Sequence, residues 1–323
     1  MSLSEFQLIS NYFMRQSVAR ADVALGIGDD AALLRMPEGQ CLAVSIDTLV
    51  EGVHFLPEIA PADLGYRALA VNLSDLAAMG AQPAWATLAL TLPGVDESWL
   101  AQFSSGFFEL AQHYGVQLVG GNTTRGPLSI SVQVHGFVSE VQALRRSGAQ
   151  AGDLIFVTGT LGDAAIGLQA ALHKIRLAPL QAQLASQRWL CPLPRVTEGL
   201  ALRDVASACI DISDGLLADL GHVCEASQTG ARIWVEQLPV STIFHAAGGD
   251  WNLPLSGGDD YELCFTAAPD RHARVDELFK AFACGVTCIG VIESMPGVRC
   301  EMNDGRQFVS AKRGYDHFAT TAL

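Results

Sequence analysis

Eight aspartates of this sequence recur in similar local settings, which are beside glycine, at the end of an apolar segment or among small residues. They are Asp29 and Asp30, Asp47, Asp75, Asp211 and Asp214, and Asp259 and Asp260. Carboxylates held close together repel one another unless positive charge lies between them. A fold that gathers these segments must therefore bind cations or leave the carboxylates in solvent.

Length and composition predict two compact domains and exclude several classes of partner. Of the 323 residues, 50% are hydrophobic and 17% are charged, which is enough apolar material for two cores of ordinary size. The net charge of -14 repels nucleic acid, so a phosphorylated ligand would need divalent cations to bridge it to the carboxylates. The eight cysteines include no Cys-x-x-Cys pair, and we expect reduced, packed thiols rather than a zinc site.

The sequence carries no signal for membrane insertion or export. Its first residues form neither a basic nor an apolar targeting segment, and no later run of about 18 apolar residues is free of charges and turn signals. We therefore expect a cytoplasmic protein without a membrane partner.

Hydrophobic spacing predicts an α+β domain in the N-terminal half. The predicted helices span residues 5–15, 61–80 and 97–114. The predicted strands span residues 41–48, 84–92, 116–119 and 130–138. The first of these strands is predicted to be buried. The strand at 116–119 is followed by the glycine-rich stretch 120–126, which can be a plain turn or can offer backbone N–H groups and hydroxyls to phosphates. This order of elements places the end of the domain near residue 140, so the predicted domains are 1–140 and 141–323.

The C-terminal half predicts a second α/β domain. The predicted elements are strands at 153–158, 206–214 and 263–266, helices at 216–227 and 272–283, and a connection at 177–194. The turn that begins at Gly159 lacks the Gly-Lys-Ser/Thr sequence of a Walker A loop, and its glycine spacing does not match the dinucleotide fingerprint. A standard nucleotide-binding fold is therefore not predicted.

Each polar motif also has a purely structural interpretation, which the residues alone leave open. Asp29 with Asp30 can form a solvated turn, and Asp75 can lie on the solvent face of a helix. His54 can be a hydrogen-bonded structural residue, and Gly120 with Gly121 can form a plain turn. Ser213 or Asp214 can cap a helix. Together, however, the recurring carboxylates without cysteine or histidine clusters favour hard oxygen coordination of Mg²⁺, and hence an acidic multi-metal site for phosphate chemistry.

Seven motifs, in order along nearly the whole chain, resemble those of the bacterial thiamine-monophosphate kinases of the aminoimidazole ribonucleotide synthetase-like superfamily. They are GIGDDA at 26–31, DTLVEGVHF at 47–55, NLSDLAAMG at 72–80, GGNTTRG at 120–126, DISDGL at 211–216, SGGDDYEL at 256–263 and GYDHF at 314–318. Other branches of the superfamily share the acidic framework but lack this combination.

The resemblance implies a fold and an activity. The implied fold has two α/β domains, in which the N-terminal sheet pairs with that of a second subunit to form a barrel and the C-terminal domain has a mixed sheet with flanking helices. The implied activity is phosphorylation of thiamine monophosphate to thiamine diphosphate by ATP, with several Mg²⁺ ions, in a homodimer. The N-terminal domain would then provide dimerisation and metal and ATP binding, and the C-terminal domain would complete the nucleotide and substrate site.

The resemblance also implies roles for individual residues. The metal positions are Asp30, Ser45, Ile46, Asp47, Asp75, Asn122, Asp211 and Asp214. The nucleotide positions are Gly121, Asn122, Arg146 and Ser213, and the substrate positions are His54, Asp259 and Tyr315. The catalytic set comprises Asp30, Asp47, Asp75, Asp211 and Arg146. Asp29 is expected only to cap or orient its turn.

The chemistry implied is direct in-line transfer without a phosphorylated enzyme. The acceptor is a phosphate monoester with a second pKa of about 6, so it is largely dianionic at neutral pH and needs no general base. The task is to bring two polyanions together, which cations and Arg146 achieve by neutralising charge.

The sequence departs from the family pattern at three positions. Where this sequence has Asn122 and Ile46, the family usually has Asp and Thr. Where it has Asp259, the family often has Glu. At Ile46 a backbone carbonyl would have to serve as the ligand. Two alternatives follow: another ATP-dependent synthetase on the same framework, or a weakly active Mg-ATP-binding relative in which Asn122 limits turnover.

Overall fold

The computed structural model describes residues 4–14, 17–315 and 317–318, which fall into two compact units. The first comprises Met1–Leu76 and Ala81–Ala143, and the second Ala77–Gly80 and Leu144–Leu323. None of the described helices is both long enough and apolar enough to cross a membrane.

The first unit is built on a four-stranded mixed sheet. Its elements are α1 (Glu5–Tyr12), β1 (Val23–Leu25), β2 (Leu33–Leu34), β3 (Cys41–Val50), α2 (Pro61–Ala78), β4 (Gln82–Leu92), α3 (Glu97–Tyr114), β5 (Gln117–Arg125) and β6 (Ser129–Val138). The strand order is β3-β6-β4-β5, with β4 and β5 parallel and the other pairs antiparallel. The short strands β1 and β2 form a separate antiparallel pair. The buried stripe of α2 includes Leu64, Leu69, Leu73 and Leu76.

Local signals set the ends of the helices in this unit. Asp96 caps α3 by accepting hydrogen bonds from the backbone N–H groups of Ser98 and Trp99, and Gly115 ends the helix in the left-handed region. The prediction of a helix over 97–114 is therefore confirmed. Helix α1 ends at Tyr12, short of the predicted end at Arg15, which lies outside the described residues.

Two predictions for this unit are wrong. The strand predicted at 116–119 ends too early, and Gly120 and Gly121 are not a plain turn, because β5 continues in parallel register with β4 until Arg125 pairs with Leu92. Interstrand hydrogen bonding there outweighs the local preference of Gly120 and Gly121 for a turn. The prediction that β3 is buried is also wrong, because the face of this outer strand that carries Leu42, Val44 and Ile46 is uncovered. The side chains of Leu42, Val44 and Ile46 are 44%, 48% and 60% exposed.

The second unit contains a seven-stranded mixed sheet with flanking helices. Its strands are β7 (Leu154–Thr158), β8 (Ala208–Asp211), β9 (Gly230–Trp234), β10 (Leu263–Ala267), β11 (Val286–Glu293), β12 (Gly297–Glu301) and β13 (Gln307–Phe308). Its helices are α4 (Asp163–Ala171), α5 (Pro179–Leu190), α6 (Val196–Ala201), α7 (Leu216–Ser227), α8 (Thr242–Ala246), α9 (Asn252–Ser256) and α10 (His272–Phe279). The strand order is β13-β12-β9-β11-β7-β10-β8, with β9 and β12 parallel.

Helix α7 packs against this sheet through Leu216, Leu220 and Val223, which share a core with Ile210 and Ile233. The predicted helix at 216–227 is confirmed, whereas the predicted connection at 177–194 is wrong because it contains α5. The predicted α/β fold with two domains and mixed sheets is confirmed.

Candidate active site

The glycine-rich acidic turn and strand β5 line one cavity in the first unit. The cavity has a volume of about 590 Å³, and its lining includes Asp29, Asp30, Gly121 and Asn122 together with apolar side chains of α1. Asp29 Oδ1 accepts a hydrogen bond from the backbone N–H of Asp30 at 2.8 Å. The side chain of Asp29 is thus held against the backbone of the turn, and Asp30 shares a cavity with two predicted nucleotide positions.

Gly121 lies where β5 passes very close to β4. Its φ angle is 153°, and a Cβ atom there would lie 1.9 Å from the carbonyl oxygen of Leu88. Only glycine fits without movement of a strand. The residue is also exposed, so its backbone is accessible to a ligand in the cavity.

A second polar cluster joins β3 to α2. Ser45 and Asp47 lie on the same face of β3, because side chains alternate along a strand. Ser45 Oγ donates a hydrogen bond to Asp75 Oδ2 at 2.5 Å. Asn72 Oδ1 accepts from the backbone N–H of Asp47 at 2.9 Å, and Asn72 Nδ2 donates to the carbonyl of Ala68 at 2.9 Å. Asp75 therefore does not simply face solvent, since it contacts a second predicted metal position.

The predicted metal positions Asp47 and Asn122 are far apart within one chain. Asp47 is in register with Val132, Leu88 and Gly121 across the sheet, so Asn122, the next residue, lies on the opposite face. Strands β3 and β5 are the outer strands, separated by three strand spacings or about 14 Å along the sheet. Ligands of one Mg²⁺ lie within about 4 Å of each other, because each bond is about 2.1 Å long. The two residues therefore do not share an ion within one chain.

His54 follows a tight turn after β3. Its Nδ1 accepts a hydrogen bond from the backbone N–H of Val50 at 3.0 Å, and Gly52 within the turn has a φ angle of 77°. This hydrogen bond fixes the orientation of the imidazole and its tautomer, with the proton on Nε2 when the ring is neutral. The structural interpretation of His54 and a ligand-binding role are thus compatible.

In the second unit, the turn after β8 gathers four predicted site residues. The carbonyl of Ser213 accepts a hydrogen bond from the N–H of Asp259 at 2.7 Å, and the carbonyl of Asp214 accepts from the N–H of Tyr315 at 3.0 Å. Asp211 is the buried last residue of β8 and pairs with Leu263 of β10. The C-terminal motif thus docks on the DISDGL motif, although Asp316 lies outside the described residues.

Negative charge dominates this turn. Burial raises the pKa of Asp214, the charge of Asp259 raises it further, and His317, His222 and Arg146 oppose the shift. Burial likewise raises the pKa of Asp219 to about 7, with Asp214 as the next contributor. A divalent cation at this turn would relieve the repulsion. Within 4–14, 17–315 and 317–318, however, no three acidic, histidine or cysteine side chains converge closely enough to hold a metal by themselves.

Comparison with known proteins assigns the chain to a family. The model for the N-terminal domain of AIR synthase related proteins matches residues 28–138, and the model for their C-terminal domain matches residues 150–303. The chain is 52% identical to the thiamine-monophosphate kinase of Escherichia coli strain K12, with 99% of this chain and 100% of that protein covered. The chain belongs to the thiamine-monophosphate kinase family.

Other members of the thiamine-monophosphate kinase family match this chain over nearly its whole length. The Bacillus subtilis protein is 34% identical, with 98% of this chain and 100% of that protein covered. The crystal structure of the Stenotrophomonas maltophilia enzyme matches with a TM-score of 0.86 at 47% identity, covering 93% of this chain and 97% of that one. A structure of AaThiL complexed with AMPPCP and TMP matches with a TM-score of 0.77 at 34% identity, covering 90% and 92%.

Sequence reasoning about this member of the thiamine-monophosphate kinase family missed two polar residues that support the predicted site. Asn72 anchors Asp47, and Asp219 accepts hydrogen bonds from the backbone N–H groups of Asp214 and Gly215. Asn72 lies in the NLSDLAAMG motif, and Asp219 follows the DISDGL motif by three residues. The hydrophobic spacing of their helices does not predict these contacts, because each contact joins a helix side chain to backbone outside that helix.

Proposed function

We propose that this chain is a cytoplasmic thiamine-monophosphate kinase, which transfers the γ-phosphoryl group of ATP to thiamine monophosphate and forms thiamine diphosphate. The observation that carries the proposal is the convergence of the acidic motif residues. Ser45 meets Asp75 in the first unit, and the turn with Ser213 and Asp214 meets Asp259 and Tyr315 in the second. Full-length relatives that carry this name support it.

The donor set fits Mg²⁺ better than a softer metal. Carboxylate and hydroxyl oxygens predominate among the metal positions, which are Asp30, Ser45, Asp47, Asp75, Asp211 and Asp214, with the carbonyl of Ile46 and the amide of Asn122. When bound, Mg²⁺ neutralises the phosphate oxygens and polarises the γ-phosphorus toward attack.

Backbone and side-chain groups of the protein bind and align the two polyanions. Gly121, Asn122, Arg146 and Ser213 hold the nucleotide, while His54, Asp259 and Tyr315 hold thiamine monophosphate. Arg146 lies within electrostatic range of Asp214, and its carbonyl accepts a hydrogen bond from Ser227 Oγ at 3.2 Å, which helps fix the backbone at Arg146. The substrate phosphate attacks directly, because it is already dianionic and needs no base.

We infer a homodimer from the open face of the first unit's sheet. Leu42, Val44 and Ile46 expose an apolar row on an outer strand, which unprotected would promote aggregation. Two such sheets can close into a barrel, with β3 of one protomer beside β5 of its partner. That closure would also bring β3, with Asp47, beside strand β5 of the partner, which carries predicted nucleotide positions, so that each site would draw residues from two chains. The N-terminal domain, 1–140, is then the dimerisation and metal and ATP domain, and 141–323 completes the nucleotide and substrate site.

An assay with three acceptor conditions tests the activity. Purified protein with Mg-ATP is given thiamine monophosphate, thiamine or no acceptor, and ADP and thiamine diphosphate are measured. We expect ADP and thiamine diphosphate only when thiamine monophosphate is the acceptor. Turnover of another acceptor would identify a different synthetase, whereas Mg-ATP binding without thiamine diphosphate would identify a weakly active relative. A covalent phosphoenzyme formed at the turnover rate would refute direct transfer.

Mixed dimers test the shared site. Asp30 lies on the β5 side of the sheet, and Asp47 lies on β3. The Asp30→Asn and Asp47→Asn variants should each be inactive on their own. If two chains share each site, an equal mixture after subunit exchange forms half heterodimers, each with one intact site, and recovers about a quarter of wild-type activity. No recovery, with exchange verified by mass spectrometry, would place each site within one chain.

A further inference from the structure

The carboxylate of Asp219 contacts the backbone of the turn that follows Asp211 and carries Ser213 and Asp214. We propose that Asp219 is a positioning residue, which holds the backbone of residues 211–215 in the conformation that binds Mg-nucleotide. The inference rests on the proposed function, because it assigns this turn to metal and nucleotide binding.

The contacts of Asp219 are with backbone rather than with other side chains. Its Oδ2 atom accepts hydrogen bonds from the N–H groups of Asp214 at 3.1 Å and Gly215 at 3.0 Å. Gly215 is the N-cap of α7 and provides no side-chain cap of its own. Asp219, one turn inside the helix, therefore satisfies amide groups that would otherwise be free at the helix start.

Glycine at 215 makes the turn dependent on this support. Its φ angle is 120°, and a Cβ atom there would lie 2.8 Å from the Cα of Ser256. Glycine allows this close approach, but it also has the greatest backbone freedom of any residue. Two hydrogen bonds to one fixed carboxylate oxygen restrict that freedom at the position that follows Asp214.

Stability alone does not account for a carboxylate at this site. Asp219 is only 3% exposed, and burial together with the nearby charge of Asp214 raises its pKa. Burying an ionisable group is costly, and a neutral side chain with an acceptor oxygen, such as asparagine, could accept a backbone hydrogen bond here at lower cost. The turn it supports also receives hydrogen bonds from Asp259 and Tyr315, so a shift at Asp214 would move both predicted substrate residues.

The test compares Asp219 with a second buried carboxylate of the same unit. Asp153 is 6% exposed and accepts hydrogen bonds from Gln150 N and Ser207 Oγ, with no hydrogen bond to the turn. Mn²⁺ binding in the presence of ATP and without thiamine monophosphate is measured by electron paramagnetic resonance for wild type, Asp219→Ala, Asp219→Asn and Asp153→Ala. Tm is measured for each protein in parallel.

We expect Asp219→Ala to weaken Mn²⁺ binding about tenfold, the size of effect seen for supporting residues at metal sites. Asp219→Asn keeps an acceptor oxygen and should lose less, and it carries the test if the alanine variant does not fold. Asp153→Ala should lower Tm while Mn²⁺ affinity stays near wild type. Equal Mn²⁺ affinity in wild type and the Asp219 variants would overturn the inference. Because this readout needs no thiamine monophosphate, it is independent of whether the wild type makes thiamine diphosphate.

Discussion

Substitution of Val44 by aspartate should dissociate the proposed homodimer. Val44 is 48% exposed and lies between Leu42 and Ile46 on the open face of β3. Unlike Ile46, it has no predicted contact with metal. The change therefore perturbs the apolar face and leaves the predicted ligands intact.

The exposure of Val44 sets the expected magnitude. Full burial of such a side chain contributes about 1.5–3 kcal/mol, so covering the remaining half contributes about 1 kcal/mol per protomer. Twofold symmetry doubles this to about 2 kcal/mol. Aspartate would in addition bury a carboxylate in each protomer, at a cost of several kcal/mol. A total loss of about 5 kcal/mol corresponds to a rise in the dimer Kd of more than about a thousandfold.

Sedimentation equilibrium over a range of protein concentrations measures this Kd. Val95→Asp is the matched control, because Val95 is 47% exposed but lies in the loop before α3 and not on the sheet. Val44→Asp should sediment as a folded monomer with little kinase activity, and Val95→Asp should match wild type. A wild-type Kd for Val44→Asp would show that this face does not form the dimer.

Three further predictions concern single side chains. Asn122→Asp should lower the Mg²⁺ concentration for half-maximal activity several-fold, because it adds charge to a ligand; an unchanged value argues against that role. Ser45→Ala should reduce the rate at least about tenfold with unchanged circular dichroism, since a hydrogen bond to a carboxylate, here Asp75, contributes about 1.5–3 kcal/mol. Burial raises the pKa of Asp22, but hydrogen bonds from Arg20 and Trp85 outweigh it and lower the pKa. Asp22 therefore stabilises the fold above its unfolded pKa and loses this effect as pH falls through the folded pKa. Asp22→Asn should remove that part of the acid dependence of the urea midpoint, and identical dependence in both proteins would contradict the assignment.

The sequence was most informative where local chemistry decides structure. Helix α3 begins after Asp96 and ends before Gly115 because capping and left-handed glycine are local effects. The strand predicted at 116–119 is too short, because its length is decided by a distant partner strand and not by local chemistry. Gly120 and Gly121 look like a turn, but pairing with β4 extends the strand through Arg125. A partner strand distant in sequence decided that element.

The composition of the acidic turn at residues 26–32 and of the other glycine–acid motifs predicts a site for hard cations and phosphate groups. Their order along the chain identified the family. Only the tertiary structure decided which of these residues meet. It joins Ser45 to Asp75, docks Tyr315 on Asp214, and places Asp47 and Asn122 on opposite outer strands. Residue type and spacing determine what a group can bind, but distances between groups depend on strand order and helix packing, which arise from contacts far apart in sequence.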